Sequence, residues 1–165
     1  EAAGQADAAW QRRREHLRVR IGNESIHIRD QAPLKERLLA PGSLDLSGVV
    51  RMLNDRVYFW PGTEAGPIFS GRSHFARYLN EDCRVLVVNT REVIGANAER
   101  LQWARCNSGS PGRAPQIRDG RTFLSPENFE DTPGAVIECV FQRFCDLANV
   151  GYRVAGVSEF LSPRP

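Results

Sequence analysis

Residues 17–28, LRVRIGNESIHI, alternate apolar and polar side chains on both sides of a turn-like Gly-Asn-Glu-Ser segment. A period of two is typical of strands, because successive side chains point to opposite faces. We therefore predict a hairpin of two strands, with Arg18 and Arg20 on the face opposite the apolar side chains. A short helix is expected immediately before it, over residues 8–18.

Residues 46–54 repeat their apolar side chains at helical spacing, which predicts a helix capped by Ser43 or Asp45. A helical turn is expected over residues 33–42, where Pro-Gly ends it. A longer helix is predicted over residues 70–80.

Strand-forming residues dominate the second half of the chain. Four segments are predicted to be strands: 57–60, 84–89, 135–144 and 151–157. The second is continuously apolar, so we expect it to be buried on both faces. Residues 107–125 are rich in Gly and Pro, which predicts a long loop of the kind that often carries function.

These elements predict an α+β fold in a single domain over residues 1–165, with a tail at residues 158–165. A chain of 165 residues with 41% hydrophobic and 25% charged residues can enclose a substantial core. It has no apolar run of the ~20 residues that a transmembrane helix needs, so no membrane partner is expected. It also lacks the motifs of P-loop NTPases, Rossmann dehydrogenases and serine hydrolases, which argues against these classes.

Charge and cysteine content restrict the partners only slightly. The 22 Lys and Arg residues against 20 Asp and Glu give a net charge of +2, which does not by itself indicate a polyanionic partner. Lys35 is the only lysine, and this bias reflects either guanidinium contacts to phosphate and carboxylate groups or a GC-rich coding sequence. The four cysteines contain no Cys-x-x-Cys pair, so we expect no metal site. The thiol pattern and the absence of a leader pattern predict a cytoplasmic protein.

One carboxylate interrupts the apolar segment GAVIECVF near the end of the chain. In an extended strand, Glu138 shares a face with its apolar neighbours at positions i−2 and i+2. Burying an unpaired carboxylate is costly. Glu138 therefore either reaches solvent at a strand edge or is held by hydrogen bonds in a cleft, where it would be a candidate site residue.

The order of several segments carries a family resemblance. The segments IHIRDQAPL, LNDRVYFWPG, RVLVVNT, CNSGSPG, DGRTF and AVIECVF occur in this order between residues 14 and 154. This order resembles an uncharacterised bacterial domain family that we associate with ADP-ribosyltransferases, and more distantly the DNA-targeting toxins of the DarT type. The resemblance implies a split mixed β-sheet core with short flanking helices.

The resemblance also implies a site. NAD would be the substrate, Glu138 would stabilise the positive charge that develops as the bond to nicotinamide breaks, and Arg29 would hold the pyrophosphate. Tyr58 and Phe59 would form an aromatic wall for nicotinamide, and Asn107 and Ser108 would contact substrate from the long loop. Each also has a structural alternative: a surface ion pair for Arg29, core packing for the aromatic residues, and a simple turn for the Asn-Ser pair.

The resemblance implies an acceptor as well, either a nucleic acid or a protein. If the domain is a toxin, we also expect an antitoxin or immunity partner, and delivery into the cytoplasm of a target cell. However, nothing before Arg12 matches the opening NAD contact of such enzymes. Either an N-terminal part lies outside this chain, or the NAD pocket is incomplete. The second case leaves an alternative function, a non-catalytic domain that binds nucleic acid or protein through Arg12, Arg13, Arg14, Arg18 and Arg20.

Overall fold

A computed structural model describes residues 11–31, 34–63, 66–109 and 116–162. The chain divides into two compact units. The first unit comprises Glu1–Asp55 and Asn107–Thr122, and the second comprises Arg56–Cys106 and Phe123–Pro165. The regular elements among the described residues are short helices and small antiparallel sheets, so the predicted α+β class is confirmed. The single domain over residues 1–165 stays a prediction.

The first unit begins with the predicted hairpin. Strand β1 (Leu17–Ile21) pairs antiparallel with β2 (Glu24–Ile28) in a register that sets Arg18 opposite His27. Arg18 and Arg20 are exposed, as the alternation predicts. The helix predicted over residues 8–18 is wrong where the structure describes it, because residues 11–16 are not helical and the alternating segment extends into a strand. Residues 8–10 lie outside the described residues.

Helix α1 (Leu46–Asn54) follows the predicted bounds of 46–54. Its cap is Asp45, whose Oδ1 accepts a hydrogen bond from the Gly48 amide at 2.6 Å. The helix buries Val49, Val50 and Leu53 on one face. A 3-10 turn at Glu36–Leu38 occupies the region where a helical turn was expected. Local spacing and one capping side chain were therefore sufficient to define this helix.

The second unit is organised around a three-stranded antiparallel sheet. Its strands are β3 (Arg56–Phe59), β7 (Leu101–Ala104) and β8 (Glu138–Gln142), with β8 in the centre. Phe59 of β3 and Trp103 of β7 both lie opposite Cys139. One face of this sheet carries the core cluster of Val93, Leu101, Cys139, Phe141 and Val150. The strand predicted over 135–144 is shorter than expected, because Pro133–Ala135 forms a 3-10 turn before it.

A two-stranded ribbon forms the other substantial sheet of this unit. Strand β6 (Arg84–Val88) pairs antiparallel with β9 (Tyr152–Gly156). The prediction that β6 is buried on both faces is wrong, because Leu86 is 41% exposed and Val154 opposite it is 56% exposed. Continuous apolar sequence indicates a strand, but only its neighbours decide how many of its faces are covered.

The remaining elements are short. They are β4 (Gly62–Thr63), β5 (Gly66–Pro67), α2 (Phe69–Phe75), α3 (Thr90–Ala96), α4 (Val157–Leu161) and 3-10 turns at Ala76–Tyr78, Ala98–Arg100 and Pro126–Asn128. Sequence reasoning missed α3 and β7, and it assigned most of α4 to the tail at residues 158–165. Asn89 caps α3, since its Oδ1 accepts from the Glu92 amide at 3.2 Å. In the described part of the chain, no helix is long and apolar enough to cross a membrane.

Candidate functional site

Glu138 is the first residue of the central strand β8. It pairs with Ala104 of β7 and is only 4% exposed. The alternative of a carboxylate that reaches solvent at a strand edge is therefore wrong. Because Cys139 belongs to the core cluster, the alternation along β8 places Glu138 on the opposite face of the sheet. Of the buried residues that the structure describes, Glu138 is the only acidic one.

The face that carries Glu138 is unusually polar for the centre of a sheet. By strand alternation and register, this polar face comprises Arg56, Tyr58, Gln102, Ala104, Glu138, Val140 and Gln142. Arg56 Nε donates to Gln102 Oε1 at 2.9 Å, which joins the two outer strands over the centre of the face. Val140 is fully buried, so part of the face is shielded from water. A carboxylate in such surroundings interacts more strongly with a nearby positive charge than one in bulk water.

Phe123 packs beside the polar face. The Arg56 guanidinium lies 4.5 Å from the centre of the Phe123 ring, and the Tyr58 ring meets it edge-on with centroids 6.0 Å apart. Phe123 is itself buried. The aromatic pair and the guanidinium pack against one another on the same face as Glu138.

The two predicted aromatic residues point in opposite directions. Tyr58 lies opposite Val140 and so shares the face of Glu138, whereas Phe59 packs edge-on against Phe141 in the core, with ring centroids 5.6 Å apart. The alternative of core packing therefore describes Phe59. The structure brings Tyr58, but not the ring of Phe59, to the side of the sheet that carries the carboxylate.

A cavity of about 1180 Å³ lies within the second unit, and Glu138 is not among its lining residues. The wall includes Cys139, the neighbour of Glu138 that faces the core, together with Trp103 and residues of β3 and β6. Both Tyr58 and Phe59 border this cavity. The central strand β8 thus separates Glu138 from Phe59, one of the two residues of the predicted aromatic wall.

Two thiols line the cavity without the properties of a nucleophile. Burial, and to a smaller extent the nearby Cys145, raise the pKa of Cys139 to about 12. Burial and the charge of Asp146 also raise the pKa of Cys145. Because the thiolate is the reactive form, both groups stay protonated and inert at neutral pH. All four cysteines are free.

Three predicted residues belong to the first unit instead. Arg29 follows β2 with an exposed side chain, and its carbonyl oxygen accepts from Arg13 Nε at 3.0 Å. Ser108 is 1% exposed, and the carbonyl oxygen of Asn107 accepts from Arg118 Nη2 at 3.2 Å. The Asn-Ser pair is therefore part of a packed turn within that unit.

Arg118 is a buried charged residue that sequence reasoning missed. It is 3% exposed, its amide donates to Ser43 Oγ at 3.0 Å, and its carbonyl oxygen accepts from the Leu44 amide at 2.8 Å. It lies in a loop rich in Gly and Pro, where no periodicity distinguishes a buried arginine from an exposed one. The Arg118 backbone ties this loop to the segment before α1, and its side chain donates to the carbonyl oxygens of Asn107 and Ile117 within the loop.

Asn97 is a second buried polar residue, and its contacts explain it as a structural one. Its side-chain Nδ2 donates to the carbonyl oxygens of Val93 and Asp146, both at 2.9 Å, and its Oδ1 accepts from the Asp146 backbone amide at 2.7 Å. These bonds join the end of α3 to the segment after β8. As far as the chain is described, no three His, Cys, Asp or Glu residues are grouped closely enough to hold a metal ion.

Comparison with known proteins gives one match. Neither the curated proteins nor the solved structures contain a match to this chain. Residues 1–136 match the family of unknown function DUF7002. This stretch includes Arg29, Tyr58, Phe59, Asn107 and Ser108 and ends two residues before Glu138. Since the match covers most of the sequence, the chain belongs to the DUF7002 family.

Proposed function

We propose that the chain is an ADP-ribosyltransferase-like domain that cleaves NAD and transfers ADP-ribose to a nucleic-acid or protein acceptor. Its catalytic residue is Glu138, and the split mixed β-sheet core of such enzymes is part of the proposal. The observation that carries it is the position of this carboxylate, which is 4% exposed on the central strand, on a face that it shares with Tyr58 and other polar side chains. A purely structural role would more commonly use an apolar residue at such a position.

The chemistry requires a fixed negative charge beside the ribose of NAD. As the bond between the ribose C1′ and the nicotinamide nitrogen breaks, its electron pair leaves with nicotinamide and the ribose becomes an oxocarbenium ion. The Glu138 carboxylate stabilises this cation and accepts a hydrogen bond from a ribose hydroxyl. An acceptor nucleophile then attacks C1′ and gives up its proton, which Glu138 can take as general base.

The aromatic surface beside Glu138 suits the leaving group. Tyr58 and Phe123 lie edge-to-face on this side of the sheet, and an aromatic ring is a good partner for the flat nicotinamide ring. We assign Phe59 a packing role, because it contacts Phe141. Only residues of the second unit enter this assignment.

Release of free nicotinamide from NAD tests the proposal. Glu138→Gln removes the charge while keeping the shape, and we expect turnover to fall by about 10²- to 10⁴-fold. Glu130→Gln is the matched control, since Glu130 is an exposed glutamate of the same unit, and its turnover should equal that of the unchanged chain. Circular dichroism and a thermal melt establish that each variant is folded.

A second variant separates catalysis from folding. Glu138→Asp keeps the charge but withdraws it by one methylene, so it should fold and still lose most of the turnover. NAD cleavage that is unchanged in both folded variants, or no cleavage by the unchanged chain, would contradict the proposal.

One observation favours the alternative of a nucleic-acid-binding domain. The register of the hairpin puts Arg18 and Arg20 on one face with His27, and all three side chains are exposed. A two-stranded ribbon with a cationic face matches the dimensions of a nucleic-acid groove. Affinity for single- and double-stranded DNA should then fall steeply with salt, and Arg18→Gln with Arg20→Gln should weaken it more than Arg77→Gln does. A salt-independent affinity, or equal effects of the variants, would exclude this alternative.

A further inference from the structure

We propose that the cavity of the second unit binds an amphipathic organic anion, a carboxylate or phosphate monoester on an apolar chain. Glu138 does not line this cavity, and Tyr58 is the one residue of the polar face that borders it. The cavity volume of about 1180 Å³ slightly exceeds the ~300–1,000 Å³ that is usual for small-molecule sites. Its size therefore allows an extended organic ligand to bind in this partly open cavity.

The wall of the cavity is largely apolar and aromatic. Phe59, Trp60, Trp103, Phe144 and Leu147 are among the lining residues. An apolar surface of this kind gains free energy when it is covered by hydrocarbon instead of water. The body of the ligand is therefore an aliphatic or aromatic group.

The charged residues described in the cavity lining are all cationic. Of the described lining residues, Arg84, Arg91, Arg143 and Arg153 are cationic, and none is Asp or Glu. Arg153 Nη1 lies 3.2 Å from Glu159 Oε1, so its charge is already compensated. Within the described residues, the other three arginines are exposed and take part in no ion pair. Guanidinium groups prefer carboxylate and phosphate partners, and so the head of the ligand is anionic.

Arg143 is held in an unusual backbone conformation. Its φ of 66° lies in the left-handed region, and it is the only described residue other than glycine with a positive φ. This conformation is disfavoured for a residue with a Cβ atom, and such residues concentrate at binding sites. Arg143 directly follows β8, and this geometry keeps its side chain at the cavity wall.

Isothermal titration with dodecanoate, dodecyl phosphate, dodecanol and dodecylamine, each below its micelle concentration, tests the ligand class. We expect one molecule of either anion to bind per chain, with an affinity at least about tenfold higher than that of the alcohol or the amine. Equal affinity for all four probes, several equivalents bound per chain, or no anion binding would overturn the proposal.

Two cross-strand neighbours provide a matched pair of variants. Leu86 lines the cavity, whereas Val154 lies directly opposite it in the ribbon and does not line the cavity. Both are exposed enough to accept a polar side chain. Leu86→Glu should lower the affinity for dodecanoate by about tenfold or more, because it adds a negative charge at the wall, and Val154→Glu should change it by less than about threefold. Equal effects of the two variants on the affinity for dodecanoate would overturn the location of the binding site in this cavity.

Arg143→Gly separates binding from folding. Glycine adopts the left-handed conformation without strain, so this variant should melt no earlier than the unchanged chain while binding dodecanoate about tenfold more weakly. Unchanged affinity in this variant would contradict a role for Arg143 at the site.

The site is also separable from the proposed NAD chemistry. Glu138 does not line the cavity, so Glu138→Gln should leave dodecanoate affinity unchanged even if it abolishes nicotinamide release. NAD should not compete with dodecanoate. Displacement of dodecanoate by NAD would overturn the assignment of the cavity to a second ligand, whereas failure of NAD cleavage alone would not affect it.

Discussion

The two faces of strand β8 differ in chemistry, one being apolar and the other largely polar. On one face, Cys139 and Phe141 pack in the core cluster with residues of α3 and β7. On the other, Glu138 and Gln142 flank the buried Val140 beside the Arg56 and Gln102 side chains. Five consecutive residues thus supply both the apolar core and the candidate chemistry.

This difference shows how a short central strand can carry two roles. Because side chains alternate, neither role requires a change in the backbone of the strand. Close packing on the core face also fixes the position of the side chains on the polar face. Changes on the core face should be measured mainly as lost stability, and changes on the polar face mainly as lost activity or small losses of stability.

The largest expected effect is on the core face. Phe141 is fully buried and packs edge-on against Phe59. Phe141→Ala should lower the free energy of unfolding by about 3–5 kcal/mol, because it removes buried surface and leaves a cavity. Urea denaturation followed by tryptophan fluorescence measures this change.

Phe144 provides the control for this prediction. It is the same residue type, but it is 52% exposed, and the Arg100 guanidinium lies 4.1 Å from its ring centre. Phe144→Ala should lower the free energy of unfolding by no more than about 1 kcal/mol. Equal losses in the two variants would show that the face of Phe141 is not the core.

A second, smaller effect is expected from alkaline pH, again on the core face. Burial raises the pKa of Cys139 from 9.0 to about 12, so the folded state retains a proton that the unfolded state releases. The stabilisation is complete below pH 9 and is lost as pH rises toward 12. The slope attributable to this thiol approaches about 1.4 kcal/mol per pH unit.

Unfolding free energies of the unchanged chain and of Cys139→Ala between pH 8 and 11 measure this slope. Cys139→Ala should flatten the alkaline decline, whatever its effect at neutral pH, while Cys83→Ala should leave the decline as it is. Parallel curves for the unchanged chain and Cys139→Ala would mean that the thiol is not shielded from water.

The smallest expected effect lies on the polar face. Arg56 bonds to Gln102 and stacks on Phe123, so Arg56→Ala should cost about 1–2 kcal/mol of unfolding free energy. A double-mutant cycle with Gln102→Ala should give a coupling of about 0.5–1 kcal/mol. A loss as large as that of Phe141→Ala would remove the distinction between the two faces.

The parts of the fold that were predicted correctly depend on local signals. The hairpin at residues 17–28 and the helix at residues 46–54 each follow from a regular period and a turn or capping residue close in sequence. Helix α3 was missed although Asn89 and Glu92 form a capping signal, because its seven residues include a glycine and several β-branched residues that favour other conformations. Strand β7 was missed because four residues are too few to show a period.

The candidate site was only partly predictable. Glu138 was identified because a charge on an apolar strand is costly to bury, and it is buried. Because Tyr58 and Phe59 are adjacent in sequence, they were predicted to form one aromatic wall. The strand β3 that carries them pairs with β8, and their side chains point to opposite faces of the sheet. The cavity was not predicted from the sequence. Its four arginines lie between positions 84 and 153 and come together only through folding.

The sequence by itself determined the α+β class, the hairpin, the bounds of α1, and the alternation that separates Glu138 from Cys139. These features depend on interactions between residues that are few positions apart. Only the tertiary structure decided that β8 is a central strand, that β6 is exposed on one side, and which residues surround the cavity. Strand pairing over long separations depends on which surfaces can be buried together, and this property belongs to the whole chain and not to any segment.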